Sequence, residues 1–238
     1  KSNYSENIIY LPNCYMPQDN TRIISRGSIS RTDCGLPEDG FVFCSFNNSF
    51  KISEKEFDIW MRLLSKVRGS VLWLIKTNKW AETNLRSEAS KRGVDADRLV
   101  FAEKIALDKH LSRLTIADLF LDTFNFNAHT TASDALWAGV PIVTKMGSGF
   151  AARVAGSLLS AIELPELITT TEEKYEELAL SLAKDRNKLA MIKNLLSEKK
   201  KSAPLFDTES YTKNIEAAYI QAYQRYVDGL PPAEIDIL

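Results

Sequence analysis

The sequence predicts an α/β fold: a Rossmann-like parallel sheet with helices on both faces and a helical C-terminal extension. Three observations lead there. Continuous apolar runs of strand length alternate with segments whose apolar residues recur at helical spacing. The connections between successive runs are long enough to hold a helix, which is what a parallel crossover requires. Beyond about residue 170 the pattern becomes helical throughout.

Residues 1–40 carry one short apolar run, Ile8 to Leu11, then scattered Pro, Asn, Gly and Asp without periodicity, and read as an extended connector with no chemistry of its own. The turn Leu36-Pro37-Glu38-Asp39-Gly40 launches the first core strand, Phe41 to Phe46. Ser53 and Glu56 form a capping box for a helix with Phe57, Trp60, Leu63, Leu64 and Val67 on one face. Val71 to Ile75 is the second strand, Ala81 to Arg92 a polar helix, and Leu99 to Ala102 the third strand. A short helix over Asp108 to Ile116 precedes the fourth strand, Leu119 to Asp122. The helix Thr130 to Ala138 stops at Gly139, with Pro141 beyond it, and Pro141 to Thr144 is the fifth strand. Ala151 to Ala161 is helical, and Leu167-Ile168 is a short sixth strand.

Helices over Glu172 to Lys184, Arg186 to Lys200 and about Asp207 to Val227 complete the chain. The last carries Ile215, Ala218, Tyr219, Ala222, Tyr223 and Tyr226 at helical spacing, an aromatic stripe that reads as packing. The run Lys199-Lys200-Lys201 reads as a solvated helix end.

Composition narrows the function classes. Thirty Lys and Arg against thirty-one Asp and Glu leave a formal charge of −1, so no nucleic-acid-binding surface is indicated and any anion site must be local. Cys14, Cys34 and Cys44 are odd in number and widely spaced, without a metal-ligand pattern, which suits a reducing compartment and makes cytoplasm the expected location. No apolar run approaches the ~18 residues of a membrane span, and the start, Lys1 to Tyr4, lacks a signal layout. The chain begins without Met, so a piece of a longer protein is expected.

In the strand order 3-2-1-4-5-6, the first and fourth strands are neighbours at the point where the order reverses, and ligands sit at their carboxyl ends. Two loops meet there, one with Asn48 and Lys51, the other with His129, Thr130 and Thr131. The second loop opens a helix, whose free N–H groups and dipole favour an anion, with the threonine hydroxyls as further donors. The same residues also suit a plain cap, with Thr130 closing the helix and Asp134 complementing its dipole. Lys51 could neutralise a diphosphate, or be a surface lysine.

The chain has two histidines, and both fall near this crevice. His110 and Arg113 share a helix face that could hold a planar base, although a surface pair fits the spacing equally. Thr130 and Asp134 share another face, where a carboxylate could meet ribose hydroxyls. No metal-ligand grouping, nucleophile elbow or GxGxxG fingerprint is present.

These residues resemble the C-terminal lobe of the catalytic region in the O-linked N-acetylglucosamine transferases, the OGT and SPINDLY family, and fit a bacterial-type homologue. The likeness is carried by Tyr4-Ser5-Glu6, Gly35 to Asp39, Phe46-Asn47 with Lys51, and Ser70-Val71-Leu72-Trp73-Leu74. It continues through Ala117-Asp118, Leu121-Asp122-Thr123, His129-Thr130-Thr131, Leu136-Trp137-Ala138-Gly139 and Ser202 to Phe206.

The resemblance implies a two-lobed GT-B glycosyltransferase, inverting and metal-independent, that moves N-acetylglucosamine from UDP-N-acetylglucosamine to protein Ser or Thr. It implies no cofactor, no nucleic-acid partner and no membrane. It makes Lys51 the catalytic residue, holding the diphosphate with Asn48 beside it, and assigns phosphate binding to His129, Thr130 and Thr131. His110, Arg113 and the main chain at Ile105 would take the uridine, and Asp134 the ribose.

Three positions depart from the family pattern: Asn48 for glutamine, Ala128 for glycine and Leu107 for a lysine that contacts uridine. The implied division is 1–40 as a connector from an N-terminal lobe, 41–205 as the nucleotide-sugar lobe, and 206–238 as a helix packing back towards the N-terminal lobe. That lobe and tetratricopeptide repeats would complete the enzyme, so the 238 residues alone are expected to bind nucleotide without turning over sugar. A GDP-fucose-using SPINDLY-type lobe and a degenerate interaction module are the alternative readings.

Overall fold

The computed structural model describes residues 4–25 and 29–237. Lys1 to Asn3, read above for a signal layout, lie outside them. The short strand β1 is Ile9–Tyr10. Then β2, Val42–Ser45, leads through the 3₁₀ turn Ser49–Lys51 into helix α1, Glu54–Lys66. Next come β3 (Val71–Ile75), α2 (Lys79–Lys91), β4 (Leu99–Ala102), α3 (Leu107–Leu114) and β5 (Leu119–Leu121). They are followed by α4 (Thr130–Trp137), β6 (Ile142–Lys145), α5 (Val154–Ala161) and β7 (Ile168–Thr169). Helices α6 (Glu172–Lys184), α7 (Arg186–Lys199) and α8 (Thr208–Val227) lead to β8, Ile235–Asp236.

Six strands form one parallel sheet in the order β4-β3-β2-β5-β6-β7, the 3-2-1-4-5-6 arrangement expected from the sequence. Continuous apolar strands follow from burial on both faces, and every residue of β2 and β5 is buried. Helices α1, α6 and α7 pack in succession on one face; α3, α4 and α5 pack on the other. Trp60 on α1, Trp73 on β3 and Tyr175 on α6 are buried completely or nearly so, each removing a large apolar surface from water. The capping box is present: Glu56 accepts the Ser53 backbone N–H at 2.7 Å and also bonds the Ser53 hydroxyl. Gly139 takes the left-handed backbone, φ 83°, that stops α4 after Trp137.

Some expectations change. The sixth strand lies one residue later than expected, because Pro165 starts a 3₁₀ turn through Leu167. The aromatic stripe of α8 does not pack on this lobe. Tyr219, Tyr223 and Tyr226 are 64%, 68% and 80% exposed, and Ala218 is the buried residue of the helix. Lys200 is not a free solvated end, since its ammonium reaches the Trp137 carbonyl at 2.5 Å.

The first residues also do more than connect. β1 pairs in parallel with β8, and Ile9 and Leu11 pack with Ala218, Ile235 and Ile237 in a small second core. Arg31 donates to the Gly40 and Ile116 carbonyls and to the Asp118 carboxylate, fastening residues before 40 to the N-terminal ends of the strands. No helix among the described residues is long and apolar enough to cross a membrane.

Candidate functional site

The order of the sheet reverses at β2, which has β3 on one side and β5 on the other. The segments leaving the carboxyl ends of β2 and β5 therefore start side by side, and both carry the residues singled out by sequence. Lys51 ends the 3₁₀ turn after β2 and sends its ammonium across the seam to the Asn127 carbonyl oxygen, 3.0 Å away. The same nitrogen lies 4.1 Å from the centre of the Phe126 ring. Partial burial lowers the Lys51 pKa, and the negative charge of Asp122 works against that shift.

His129 is the residue before the first turn of α4, so the cap is His129 and not Thr130. Its carbonyl accepts from Ala132 and Ser133, which leaves the Thr130 and Thr131 N–H groups as first-turn donors without helical acceptors. The imidazole stacks on Phe126 at 4.9 Å, and its buried Nε2 has no hydrogen-bond partner. Burial and then the charge of Lys51 lower the His129 pKa, while a hydrogen bond with the Ala151 backbone acts in the other direction. The ring is accordingly neutral near pH 7, beside a cation and a helix N-terminus. That combination can accept an anion and gains a charge-assisted bond if the ring protonates.

The loop between β5 and α4 is built on a buried carboxylate that sequence reading passed over. Asp122 Oδ1 accepts the backbone N–H groups of Thr123 at 2.8 Å and Ala128 at 2.6 Å, and the Asn47 amide at 3.2 Å. Thr144 on β6 donates to Oδ2 at 2.6 Å. Asn47 in turn accepts the Thr131 hydroxyl at 2.7 Å, so that hydroxyl is already committed as a donor, whereas Thr130 is exposed. Ala128 has no positive φ, since Glu163 is the non-glycine residue with one among the described residues. Alanine in place of the family glycine is therefore unstrained there. Asn48 is exposed, and its carbonyl accepts the Lys51 N–H.

On the β4 side of the crevice, Arg113 donates from Nε to His110 Nδ1 at 3.1 Å and from its guanidinium to the Glu103 carbonyl at 2.7 Å. Burial, helped by Arg113, pushes the His110 pKa down to about 4. The neutral ring accepts at Nδ1 and keeps its proton on Nε2. Trp73, Phe101, Ile105 and Arg113 line a cleft with Ile29 and Cys34 from the first forty residues. The Trp73 indole N–H beside it is buried without a hydrogen-bond partner.

Asp134 is not free to face the crevice. Its carboxylate pairs with Arg22 at 2.5 Å, and Arg22 also bonds Ser133 and lies over the Trp137 ring. Burial raises the Asp134 pKa against the pull of Arg22. The reading of residues 1–40 as free of chemistry is corrected by this ion pair. A separate cleft of about 570 Å³, with Tyr4, Tyr15, Phe150 and Arg153 in its walls, adjoins the loop between β5 and α4 where Phe150 meets the edge of His129 at 6.4 Å. Among the described residues no three His, Cys, Asp or Glu side chains come together as a metal site would require.

The chain is similar to known proteins along most of its length. The sequence profile described as glycosyl transferase family 41 matches residues 22–215. The chain belongs to that family. Within it, the chain is 36% identical to the probable UDP-N-acetylglucosamine–peptide N-acetylglucosaminyltransferase SEC of Arabidopsis thaliana, over 99% of this chain and 25% of that protein. It is 37% identical to the Caenorhabditis elegans UDP-N-acetylglucosamine–peptide N-acetylglucosaminyltransferase, over 85% of this chain and 18% of that one. A solved Thermobaculum terrenum O-GlcNAc transferase, a lysine-to-methionine variant, superposes with a TM-score of 0.72 at 32% identity, covering 76% of this chain and 36% of that one. The chain thus spans about a quarter or less of the two curated relatives.

The GT-B character of this family 41 fold extends to more distant structures. Anabaena HepE in complex with UDP and glucose superposes with a TM-score of 0.55 at 15% identity, over 79% of this chain and 51% of that one, which is a likeness of fold.

Proposed function

We propose that this family 41 chain is the donor-binding lobe of a protein O-GlcNAc transferase, and that it takes the uridine diphosphate portion of UDP-N-acetylglucosamine at the seam between β2 and β5. The observation that carries the reading is that Lys51 and His129 both lie against the Phe126 ring, with His129 the residue that opens α4, so that a cation, an imidazole and a helix N-terminus meet at this seam. A diphosphate there meets a cation, a ring able to donate and a helix N-terminus together. As the sugar leaves, charge grows on the phosphate beside Lys51, so the ammonium favours the transition state over the ground state without a metal. Transfer would be inverting, with a Ser or Thr hydroxyl of the acceptor attacking opposite the departing UDP.

Uridine is assigned to the Arg113, His110 and Ile105 side of the crevice, where the Trp73 N–H also lacks a partner. Leu107 leaves one cation out of that side. Lys109 does not replace it, because residues two apart on a helix point roughly 200° apart. For Asp134 to meet the ribose, its carboxylate must be shared with Arg22.

Acceptor recognition and turnover are assigned to an N-terminal lobe and tetratricopeptide repeats of the same polypeptide, in a cytoplasmic enzyme. Residues 1–40 and 206–238 flank the lobe, and the exposed tyrosines of α8 are the surface it would offer that partner lobe.

A second reading comes from the likeness to SPINDLY-type proteins: the tomato protein named as a probable UDP-N-acetylglucosamine–peptide N-acetylglucosaminyltransferase SPINDLY is 33% identical over 98% of this chain, close to the level of SEC. A SPINDLY-type lobe using GDP-fucose would prefer GDP. Calorimetric titration of the 238-residue chain with UDP and with GDP, on the native sequence and on Lys51→Met, separates the two. UDP binding that GDP does not match, weakened by Lys51→Met, is the expected result; a GDP preference moves the chain to the fucosyl branch. Loss of binding to both leaves the interaction-module reading.

A further inference from the structure

The carboxylate beneath the anion loop is the strongest group in the molecule to which the proposed reaction gives no role. Asp122 is fully buried, and among the described residues no Lys, Arg or His forms an ion pair with it. Lys51 feels its negative charge, and the Lys51 ammonium is hydrogen-bonded to the Asn127 carbonyl in the loop that this carboxylate holds. A buried carboxylate and an incoming diphosphate therefore draw on the same positive charge. Two negative groups sharing one cation in a low-dielectric setting repel, and the cheapest relief is a proton on the buried one.

The hydrogen bonds at Asp122 allow that proton without dismantling the loop. Thr123 N–H, Ala128 N–H and the Asn47 amide all converge on Oδ1, which stays an acceptor in the neutral acid. Oδ2 meets the Thr144 hydroxyl, and a hydroxyl that donates to a carboxylate can turn to accept from a carboxylic acid. Three of the residues assigned to phosphate binding are reached from this carboxylate in a few bonds. Lys51 rests on the Asn127 carbonyl inside the loop, His129 follows Ala128, and Thr131 hangs from Asn47.

We propose that Asp122 is the positioning residue of the anion site: it shapes the 123–128 loop in either protonation state, and it takes up a proton when an anionic diphosphate settles against Lys51. The proposal rests on the donor-lobe reading and adds a residue to it.

The other ionisable groups around Asp122 are assigned as follows. Glu56 on α1 is engaged in its capping box, and Tyr175 on α6, whose hydroxyl donates to the Asp122 carbonyl, has its pKa pushed well above 10. Lys145 at the end of β6 pairs with Glu172 at 3.3 Å. His129 at the head of α4 is held below its ordinary value of 6.5, whereas Asp122 itself is raised by burial to about 7. A change that disappears in Asp122→Asn belongs to Asp122, and one that disappears in His129→Gln belongs to His129.

The test is calorimetric titration of the 238-residue chain with UDP-N-acetylglucosamine from about pH 6 to about pH 8.5, in buffers of different ionisation enthalpy. Both phosphates of this ligand are esterified, so its own charge is constant over the range. The native chain is expected to lose affinity several-fold as pH rises through about 7, with net proton uptake on binding. Asp122→Asn keeps an oxygen acceptor and a donor for Thr144, and is expected to bind with a flat profile and without that uptake. Asp122→Ala removes the loop's acceptors and is expected to bind weakly at every pH.

An inflection near 7 that persists in Asp122→Asn, or one that vanishes in His129→Gln instead, overturns the proposal while leaving the donor reading intact. A native chain that binds without taking up a proton does the same. No binding of UDP-N-acetylglucosamine by the native chain overturns both.

Discussion

The ammonium of Lys51 and the carbonyl oxygen of Asn127 lie 3.0 Å apart, and this contact closes the seam between the segments that leave β2 and β5. Lys51 is half-buried and its partner is a neutral carbonyl, so the charge is held in place without being cancelled. Lys51→Met should change the unfolding free energy by less than about 1 kcal/mol, since a methionine covers the Phe126 ring nearly as well. In the complete enzyme the same substitution should cost about 3 to 4 kcal/mol in the barrier to transfer. Denaturant melts set beside single-turnover rates check both statements.

Arg22 and Asp134 are a second such pair, and here both groups are largely covered, with side-chain exposures of 11% and 15%. Arg22→Ala leaves a mostly buried carboxylate without its cation and should destabilise the fold by about 3 kcal/mol. Adding Asp134→Asn should recover most of that loss. Urea unfolding of the two single variants and the double variant measures the coupling directly.

Asp122 sets a pH dependence of stability with a definite sign. Its carboxyl is raised by burial from 3.8 to about 7 on folding, so its contribution is fully present below about pH 4 and is lost as pH rises through about 7. The contribution lost is on the order of 4 kcal/mol. Asp122→Asn should therefore flatten the slope of unfolding free energy between about pH 4 and about pH 7, which equilibrium melts across that range would detect.

His110 has the opposite sign. Burial and Arg113 push it down to about 4, so its contribution to stability is present above the unfolded value of 6.5 and falls away as pH drops towards 4. The ring should stay neutral from about pH 8 to about pH 5, and nucleobase recognition on that side of the crevice should not vary with pH on its account. The ring proton resonances of His110 followed by NMR should titrate near 4, well below those of an exposed histidine.

The Tyr175 hydroxyl bridges two layers, accepting from Trp60 Nε1 at 3.1 Å and donating to the Asp122 carbonyl at 3.0 Å. Tyr175→Phe keeps the ring but leaves a buried indole N–H and a buried carbonyl unpaired. It should cost about 2 kcal/mol, seen as a lowered denaturant midpoint with an unchanged m-value.

The parts of this molecule that sequence reading reached are those encoded by local pattern. Strand runs, capping box, Gly139 stop and strand order depend on neighbours in sequence and on the geometry of parallel crossovers, and the strands lie within about one residue of where the sequence places them. The pairing of His110 with Arg113 follows from spacing on one helix. Asp122 was passed over because its role depends on partners from the end of β2, from β6 and from its own loop, which only the folded sheet brings together. Arg22 lies 112 positions from the carboxylate it holds, inside a stretch without periodicity, and nothing local marks it. The tyrosines of α8 show the reverse error: helical spacing of aromatics reports a face without saying what covers it.

The pairing of Ile9 with Ile235 has a mechanical consequence. A load applied between these two points enters and leaves the lobe at one corner, and it is carried by the Ile235–Ile8 and Ile237–Tyr10 backbone hydrogen bonds before any strand of the six-stranded sheet is stretched.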